Sequence, residues 1–485
     1  MQILSLKILK QYFLNSIVLF KSYAYLNLAL SLIFGGGLLG LGLYKLEGDH
    51  LAAWLTNGTL VGLVSSLQLG IPQIFSRYFV YSKEGYSFNS ILSSNKDNPI
   101  SNYRQLKNKS KSIFYVSNMV GLSLSAFFIV SLMSAIVFIG LFYEFVLRQF
   151  NTGLGVEIAI VISFMVLLNT MLLWVPCYLE GIGHVELSEK VNFYSGLISI
   201  PVVLLVGVLW NEIGFWLLIS LLVLNIRLIS LFYFSRAMLP PKNTMTFKLD
   251  LINLKKLILN MRKPMLSSVL GGILKNVSGP LAASTLQSSE VSVFLTLKRF
   301  LDLLESFVST MQRITYPFLV SRSLKRSGVD EAYNQVIFNH SVAILITVLF
   351  SLCYIFLYEF FQSFGYIVAD IEFLILAMVI GVYFSRLVGL YASLMAIDNY
   401  IADYKALSVA VLMFIFVITF IFFNGGFDLN NIALPYMISY ILSYAVLVYL
   451  GCSFYGNKKC FKYMKGIFFP VIIGASLYLF WALIL

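Results

Sequence analysis

Apolar runs long enough to cross a bilayer recur along almost the whole chain of 485 residues. A helix of about 20 apolar residues spans the hydrocarbon core of a membrane. With 59% hydrophobic residues, the chain leaves no stretch that resembles a soluble catalytic domain. The sequence therefore predicts an all-α polytopic membrane protein. Thirteen spans are predicted near 22–46, 51–80, 113–143, 156–180, 191–210, 213–235, 266–288, 291–320, 334–358, 371–397, 405–424, 431–455 and 466–485.

Lysine and arginine are distributed unequally between the two sides of the membrane that these spans define. With the N-terminus in the cytoplasm, the cytoplasmic segments carry 26 of the 34 Lys and Arg residues. The outer segments carry only Lys45 and Arg148. Because cytoplasmic loops are enriched in positive charge, the sequence predicts a cytoplasmic N-terminus. The same asymmetry accounts for the net charge of +12 without a nucleic-acid partner.

The sequence contains an internal repeat. Residues 71–77 (IPQIFSR), at the end of the second span, share a Pro-x-x-x-Ser-Arg pattern with residues 316–322 (YPFLVSR), at the end of the eighth. Short polar loops, 183–190 and 398–405, follow the fourth and tenth spans. Each repeat has six spans, an even number, so both halves enter the membrane from the same side, as parallel repeats. We expect two six-helix bundles, 12 helices in all, and one extra C-terminal helix.

This pattern divides the chain into four parts. An N-terminal segment and six-helix bundle occupy 1–235, a crossover 236–265, a second six-helix bundle 266–455, and a basic loop with the extra apolar helix 456–485. The crossover is basic and amphipathic, which favours a position on the cytoplasmic membrane surface. A passive tether and a gating element are both compatible with it. The last apolar run either spans the membrane or lies in its interface.

The eighth span carries charges on one face. Five polar residues fall within an arc of about 80° at the helical spacing of 100° per residue: Lys298, Asp302, Glu305, Ser309 and Arg313. A charge at mid-bilayer costs about 2.5–3.5 kcal/mol on insertion scales, so this stripe must face protein or water. One interpretation is a salt-bridge ladder in which Asp302 pairs with Lys298 and Arg299. The other is a polar cavity that receives an anionic substrate.

Three further cations lie within other spans. Lys275 lies midway along the seventh span on a face of small residues, which leaves room for a cavity or a neighbouring helix. The candidate substrate-binding residues are therefore Lys275, Arg313, Lys298, Arg386 and Arg227. For Arg227 and Arg386, snorkelling or bonding to carbonyl groups is the alternative. Asp302 and Glu305 are candidates for ion coupling, and equally for counter-ions of the stripe.

Motifs of common enzymes are absent from the sequence. There is no Walker A, GxSxG or HExxH motif and no Cys/His cluster, which argues against an ATPase or a metalloenzyme. The four cysteines lack CxxC spacing and are expected to be free thiols. We expect no enzymatic activity, no catalytic residue, no metal site and no cofactor.

Taken together, the parallel repeat, the matching segments, the short loops and the basic crossover resemble the multidrug/oligosaccharidyl-lipid/polysaccharide exporter (MOP) superfamily. Within it, the chain looks most similar to Wzx-type flippases of O-antigen and capsule repeat units, over about 22–455. The resemblance implies alternating access in the bacterial inner membrane. It implies an undecaprenyl-diphosphate-linked oligosaccharide as substrate, held by a cation-lined lumen that the five basic residues above would form. Membrane lipid and other polysaccharide assembly proteins are the further partners implied.

Two other classes stay open. A drug or cation exporter of the same superfamily should show an acidic excess in its spans, whereas six Lys or Arg lie within the spans here, with few acids. A membrane O-antigen polymerase or ligase should carry a large outer loop with catalytic residues. The longest outer loops here, near 144–156 and 358–371, hold about a dozen residues each.

Overall fold

The structure is a computed structural model of the protein. It describes residues 23, 25–27, 29–66, 68, 71–83, 85–87, 111–210, 212–239, 251–303, 372–397 and 403–455. Regular structure among these residues is helical, with no β-strand, and the predicted all-α polytopic membrane fold is confirmed. Six helical segments in the described part are long and apolar enough to cross a membrane. The extra helix predicted at 466–485 lies outside the described residues.

The helices are numbered here in chain order. The N-terminal ones are α1 (Tyr25–Lys45), α2 (Gly48–Ser66), α3 (Ile71–Lys83), α4 (Ser112–Phe142), α5 (Val156–Leu172), α6 (Trp174–Ile182), α7 (Val185–Leu209) and α8 (Ile213–Ser235). They are followed by α9 (Leu251–Asn276), α10 (Ser278–Thr285), α11 (described over 288–303), α12 (Glu372–Ile397), α13 (Asp403–Phe423) and α14 (Leu434–Tyr455). A π-helical turn, Tyr143–Leu147, extends α4.

Three predicted single spans, the second, fourth and seventh, are each divided into two helices. In each case the second helix has a proline in its first turn: Pro72 in α3, Pro176 in α6 and Pro280 in α10. Proline lacks an N–H and its ring clashes with the carbonyl four residues earlier. Counting back from Pro176 and Pro280, that residue is the last of α5 and of α9. These two breaks therefore lie where the proline ring would clash with a continuing helix.

The chain forms two compact units, Met1–Val269 and Leu270–Leu485. The division falls within α9, which runs without interruption through the predicted boundary between the crossover and the second bundle. In the N-terminal unit, α3 packs against α4 and α6, α5 against α4 and α8, and α7 against α8. In the C-terminal unit, α14 packs against both α12 and α13.

Aromatic side chains form much of the N-terminal core. Phe75, Phe79 and Phe127 are fully buried where α3 and α4 meet. The ring of Phe79 stands edge-on to that of Tyr178, with centroids 5.3 Å apart. Such pairs add about 0.5–1.5 kcal/mol beyond the burial of apolar area. The packing fixes the position of α6, and with it the start of α7, which carries the polar groups described below.

Helix α7 shows how the protein distributes polarity relative to lipid. Its exposed side includes Leu197 and Ile198, with 47% and 70% of their surface accessible, whereas Gly196 and Ser199 are buried. Without a hydrophobic driving force between helices in lipid, close contact depends on small residues and on polar groups that are satisfied internally. On this helix the exposed face is made of large apolar residues, whereas the buried face includes small and polar residues among its apolar ones.

Candidate functional site

A three-residue charge cluster lies inside the C-terminal unit. On α11, Lys298 Nζ donates a hydrogen bond to Asp302 Oδ2 over 3.1 Å. From α9, Lys275 Nζ approaches the other oxygen of the same carboxylate, Oδ1, at 3.7 Å. The pair between Lys298 and Asp302 follows from their spacing on one helix, four residues apart. The contact from Lys275 comes from a different helix, and the sequence analysis did not predict it.

The two lysines differ in their access to solvent or ligand. The side chain of Lys298 is 8% exposed, whereas that of Lys275 is 39% exposed and that of Asp302 25%. A buried ammonium is stable only when a counter-ion and hydrogen bonds compensate for its lost hydration. Asp302 therefore serves mainly as the counter-ion of Lys298. Lys275 makes the longer contact to the carboxylate and is the more exposed of the two lysines.

A cleft adjoins the cluster, and its empty volume of about 340 Å³ includes space that is open to solvent. Besides Lys298 and Asp302, it is lined by side chains from four helices, among them Ser278, Phe294, Val382 and Tyr436. The cleft is partly open to solvent, and its lining is mostly apolar. Its charged groups are those of the cluster. In this conformation it has room for about one or two water molecules.

The other candidate residues lie elsewhere in the chain. Arg386 lies on α12 in the same unit, one helical turn beyond Val382 and therefore on the same face of the helix. Arg227 lies on α8 in the N-terminal unit. Arg313 and Glu305 lie outside the described residues. The structure thus brings Lys275, Lys298 and Asp302 together.

A second polar cluster, in the N-terminal unit, joins α1 to α7. Asn27 Nδ2 donates hydrogen bonds to Glu189 Oε2 over 2.6 Å and to the Glu189 carbonyl oxygen over 2.8 Å. Asn27 is 8% exposed and Glu189 5% exposed. Asn27 Oδ1, also buried, has no hydrogen-bond partner among the described residues. One amide therefore clamps both the side chain and the backbone at Glu189.

Arg227 lies against the same helix two turns further on. An added Cβ at Gly196 would stand 2.6 Å from Arg227 Nη2 and 3.1 Å from Cζ, so the guanidinium occupies the space that a larger residue would fill. Nε and Nη2 are buried, and within the described part of the chain neither has a hydrogen-bond partner. Glu189 interacts electrostatically with Arg227 across the cluster.

Sequence reasoning missed Glu189 because residues 183–190 read as a polar loop. In the structure only two residues connect α6 to α7: Gly183, whose φ of +85° ends α6 in the left-handed region, and His184. Glu189 is therefore the fifth residue of α7 and faces the interior. Its seven-residue spacing from Gly196 would have placed both on one helix face. No group of three or more His, Cys, Asp or Glu suited to a metal ion occurs among the described residues.

The fold is similar to that of solved transporters of the MOP superfamily. No family model matches the chain, and no curated protein matches it. Solved structures do. The lipid II flippase MurJ in an inward closed conformation has a TM-score of 0.57 at 14% identity, covering 95% of this chain and 92% of that one. A multidrug resistance MATE transporter in an outward-facing conformation has a TM-score of 0.57 at 13% identity, covering 93% and 96%.

A third similar structure concerns pocket charge directly. It is a MOP superfamily transporter from Pyrococcus furiosus for which the reverse polarity of the binding pocket suggests a different function. Its TM-score is 0.56 at 12% identity, covering 89% of this chain and 94% of that one. These likenesses establish the fold.

Proposed function

We propose that the protein is a flippase that moves an undecaprenyl-diphosphate-linked oligosaccharide repeat unit from the cytoplasmic to the outer leaflet of the bacterial inner membrane. One observation carries the proposal. Two lysines, Lys275 and Lys298, contact the carboxylate of Asp302, and Lys298 and Asp302 line a cleft. The three described side chains bring two positive charges and one negative charge together inside a membrane-spanning unit, where an unneeded charge would be costly.

The chemistry of the substrate explains why a flippase needs such a cluster. A diphosphate cannot enter hydrocarbon alone, because an unpaired charge there costs many kcal/mol. Fixed cations in a partly dry site replace its hydration, while the lipid tail remains in the bilayer. Lys275 is the cation best placed for this role, since it is more exposed than Lys298 and less tightly held by Asp302.

The narrowness of the cleft fits a cycle of alternating access. A space for about one or two water molecules does not admit a diphosphate, so the cleft has to widen when substrate binds. A transporter of this kind alternates between states of similar free energy, and the ligand selects the state that binds it better. The described conformation would then be one in which the cluster is closed on itself.

The remaining candidates extend the same hypothesis. Arg386, Arg227 and Arg313 are proposed as further cations along the path of the substrate. Asp302 and Glu305 are proposed either to couple transport to a proton or sodium gradient or to balance the lysines. MurJ, a flippase for lipid II, and the transporter of reversed pocket polarity are neighbours in fold, which supports a lipid-linked anion as the cargo.

A drug or cation exporter is the second candidate. It is favoured by Glu189, a carboxylate that is 5% exposed inside the N-terminal unit, and by the fold shared with a multidrug resistance transporter. This candidate predicts that loss of the protein sensitises cells to cationic drugs. The flippase predicts instead that lipid-linked repeat units accumulate on the cytoplasmic leaflet of cells that lack the gene.

Substitutions at Lys275 provide the decisive test. We expect Lys275→Ala to lower transport of the lipid-linked unit in proteoliposomes about tenfold or more, since a hydrogen bond to a charged group contributes about 1.5–3 kcal/mol. Lys275→Arg should retain part of the activity, and Lys275→Glu should be the least active. Lys405→Ala, which removes an exposed lysine from α13, is the matched control and should transport normally.

Membrane levels must be measured beside transport in these variants. If Lys275→Ala accumulates normally and transports as fast as the wild type, the proposed substrate contact is wrong. If its transport falls only in proportion to its protein level, Lys275 has a structural role and the proposal fails at this residue.

A further inference from the structure

The first part of α9 exposes one surface that combines apolar and positively charged side chains. Six exposed residues form this surface, which is called the cationic face here: Ile252, Lys255, Lys256, Leu259, Arg262 and Lys263. At about 100° per residue they fall within an arc of about 120°. The two apolar residues are seven positions apart and form a central row, and one pair of cations lies on each side of that row.

The protein itself contacts a different side of α9. Ile252 and Leu259 have 70% and 56% of their surface accessible. Met265, by contrast, lies about 120° around the helix from Leu259. It is 9% exposed and belongs to the core cluster that residues of α3, α4 and α6 form in the N-terminal unit. The cationic face is therefore directed away from that core.

The charges of the cationic face are not balanced locally. Helix α9 contains no Asp or Glu. Within the part of the chain that the structure describes, none of the four cations on this face has an ion-pair partner. All four lie within about 12 Å along the helix axis. Such a surface matches a partner that offers negative charge and apolar contact together, as an anionic phospholipid leaflet does.

Continuity with the bilayer selects this partner. Helix α9 runs on without interruption into the seventh predicted span, which begins at residue 266. Arg262 and Lys263 therefore lie within about 6 Å of that span along the helix axis. Pro264 separates them from it, and proline is a common cause of bends in helices. A bend at this position lets the cationic face lie along the membrane surface, where clusters of Lys and Arg attract anionic lipids.

We propose that the cationic face of α9 docks on anionic phospholipid headgroups of the cytoplasmic leaflet. The four cations bind headgroup phosphates, while Ile252 and Leu259 enter the boundary between headgroups and acyl chains. This surface is separate from the cluster at Lys275 and Asp302. Docking does not depend on the cargo, because a flippase and a drug exporter would use the surface in the same way.

The test places a fluorescent probe on the cationic face of the full-length protein. Alanine replaces Cys353, Cys452 and Cys460, the buried Cys177 is retained, and Leu259→Cys is labelled with a polarity-sensitive dye. The protein is reconstituted in phosphatidylcholine nanodiscs that contain a rising fraction of phosphatidylglycerol. The emission should shift to the blue as this fraction rises. Salt at about 0.5 M should reverse the shift, because it screens exposed charges.

Substitutions of the cations measure their contribution to docking. Each Lys or Arg near an anionic surface contributes about 1 kcal/mol, which is about fivefold in an equilibrium constant. Lys256→Gln with Lys263→Gln should therefore lower the docking constant about 25-fold, whereas arginine at both positions should preserve docking. The matched control is Lys190→Gln with Lys405→Gln, which removes two exposed lysines from α7 and α13. This control should dock as the parent protein does.

Four results would overturn the inference. A dye that stays exposed to water at every lipid composition excludes docking. A dye that is equally buried in phosphatidylcholine alone shows apolar contact without recognition of anionic headgroups. A control that weakens docking as much as Lys256→Gln with Lys263→Gln assigns the effect to overall charge. A dye that responds to added RNA or polyglutamate, but not to phosphatidylglycerol, assigns the face to a soluble polyanion instead.

Discussion

Removal of the shared carboxylate in the C-terminal unit should destabilise the protein strongly. Asp302→Asn keeps the shape of the side chain but leaves Lys298, which is 8% exposed, without its counter-ion. Breaking a fully buried ion pair by removing one partner costs about 3–5 kcal/mol. Because the Asp302 side chain is 25% exposed, part of this is recovered by solvent. The partly exposed Lys275 contributes under about 1 kcal/mol. We therefore expect a loss of about 2–4 kcal/mol in the free energy of unfolding.

The assay is reversible unfolding of the purified protein in mixed micelles as the fraction of denaturing detergent rises. The matched control is Glu144→Gln, because Glu144 and Arg148 form another pair four residues apart, at 2.8 Å, with side chains 45% and 67% exposed. Removing that surface pair should cost under about 1 kcal/mol. Combining Asp302→Asn with Lys298→Met removes both charges at similar volume and should restore most of the stability.

Two outcomes would refute this reasoning. If Asp302→Asn lowers the free energy of unfolding no more than Glu144→Gln does, Lys298 does not depend on Asp302. If the double variant is as unstable as Asp302→Asn alone, the lost stability does not come from the unpaired Lys298.

The remaining predictions concern packing and topology. Gly181→Ala would place a Cβ 2.2 Å from Phe79 Cβ and 2.7 Å from a backbone oxygen of α3, so we expect a loss of about 1–3 kcal/mol in the unfolding assay. Gly140→Ala, with nothing within 4 Å of the added atom, should be neutral or stabilise by about 0.5–1 kcal/mol; equal effects at the two sites would contradict the observed packing. Single cysteines introduced at Asn98 and Asn243 should resist an impermeant thiol reagent in intact cells, and rapid labelling would reverse the predicted orientation.

The sequence by itself determined the class of fold and the local part of the C-terminal cluster. Runs of apolar residues require helices that cross a membrane, because lipid offers no partner for an exposed backbone group. The pair between Lys298 and Asp302 was foreseeable for a similar reason. Residues four apart meet on any helix, whatever surrounds it.

Tertiary structure decided which distant groups meet. The approach of Lys275 to Asp302, and the clamp between Asn27 and Glu189 across 162 residues, depend on how whole helices pack. The local sequence around these four residues does not encode that packing. The contact between Arg227 and Gly196 likewise depends on the close approach of α7 and α8. Small residues permit such an approach but do not specify it. Charge and periodicity could nominate the cations, and only the packing of helices selected their partners.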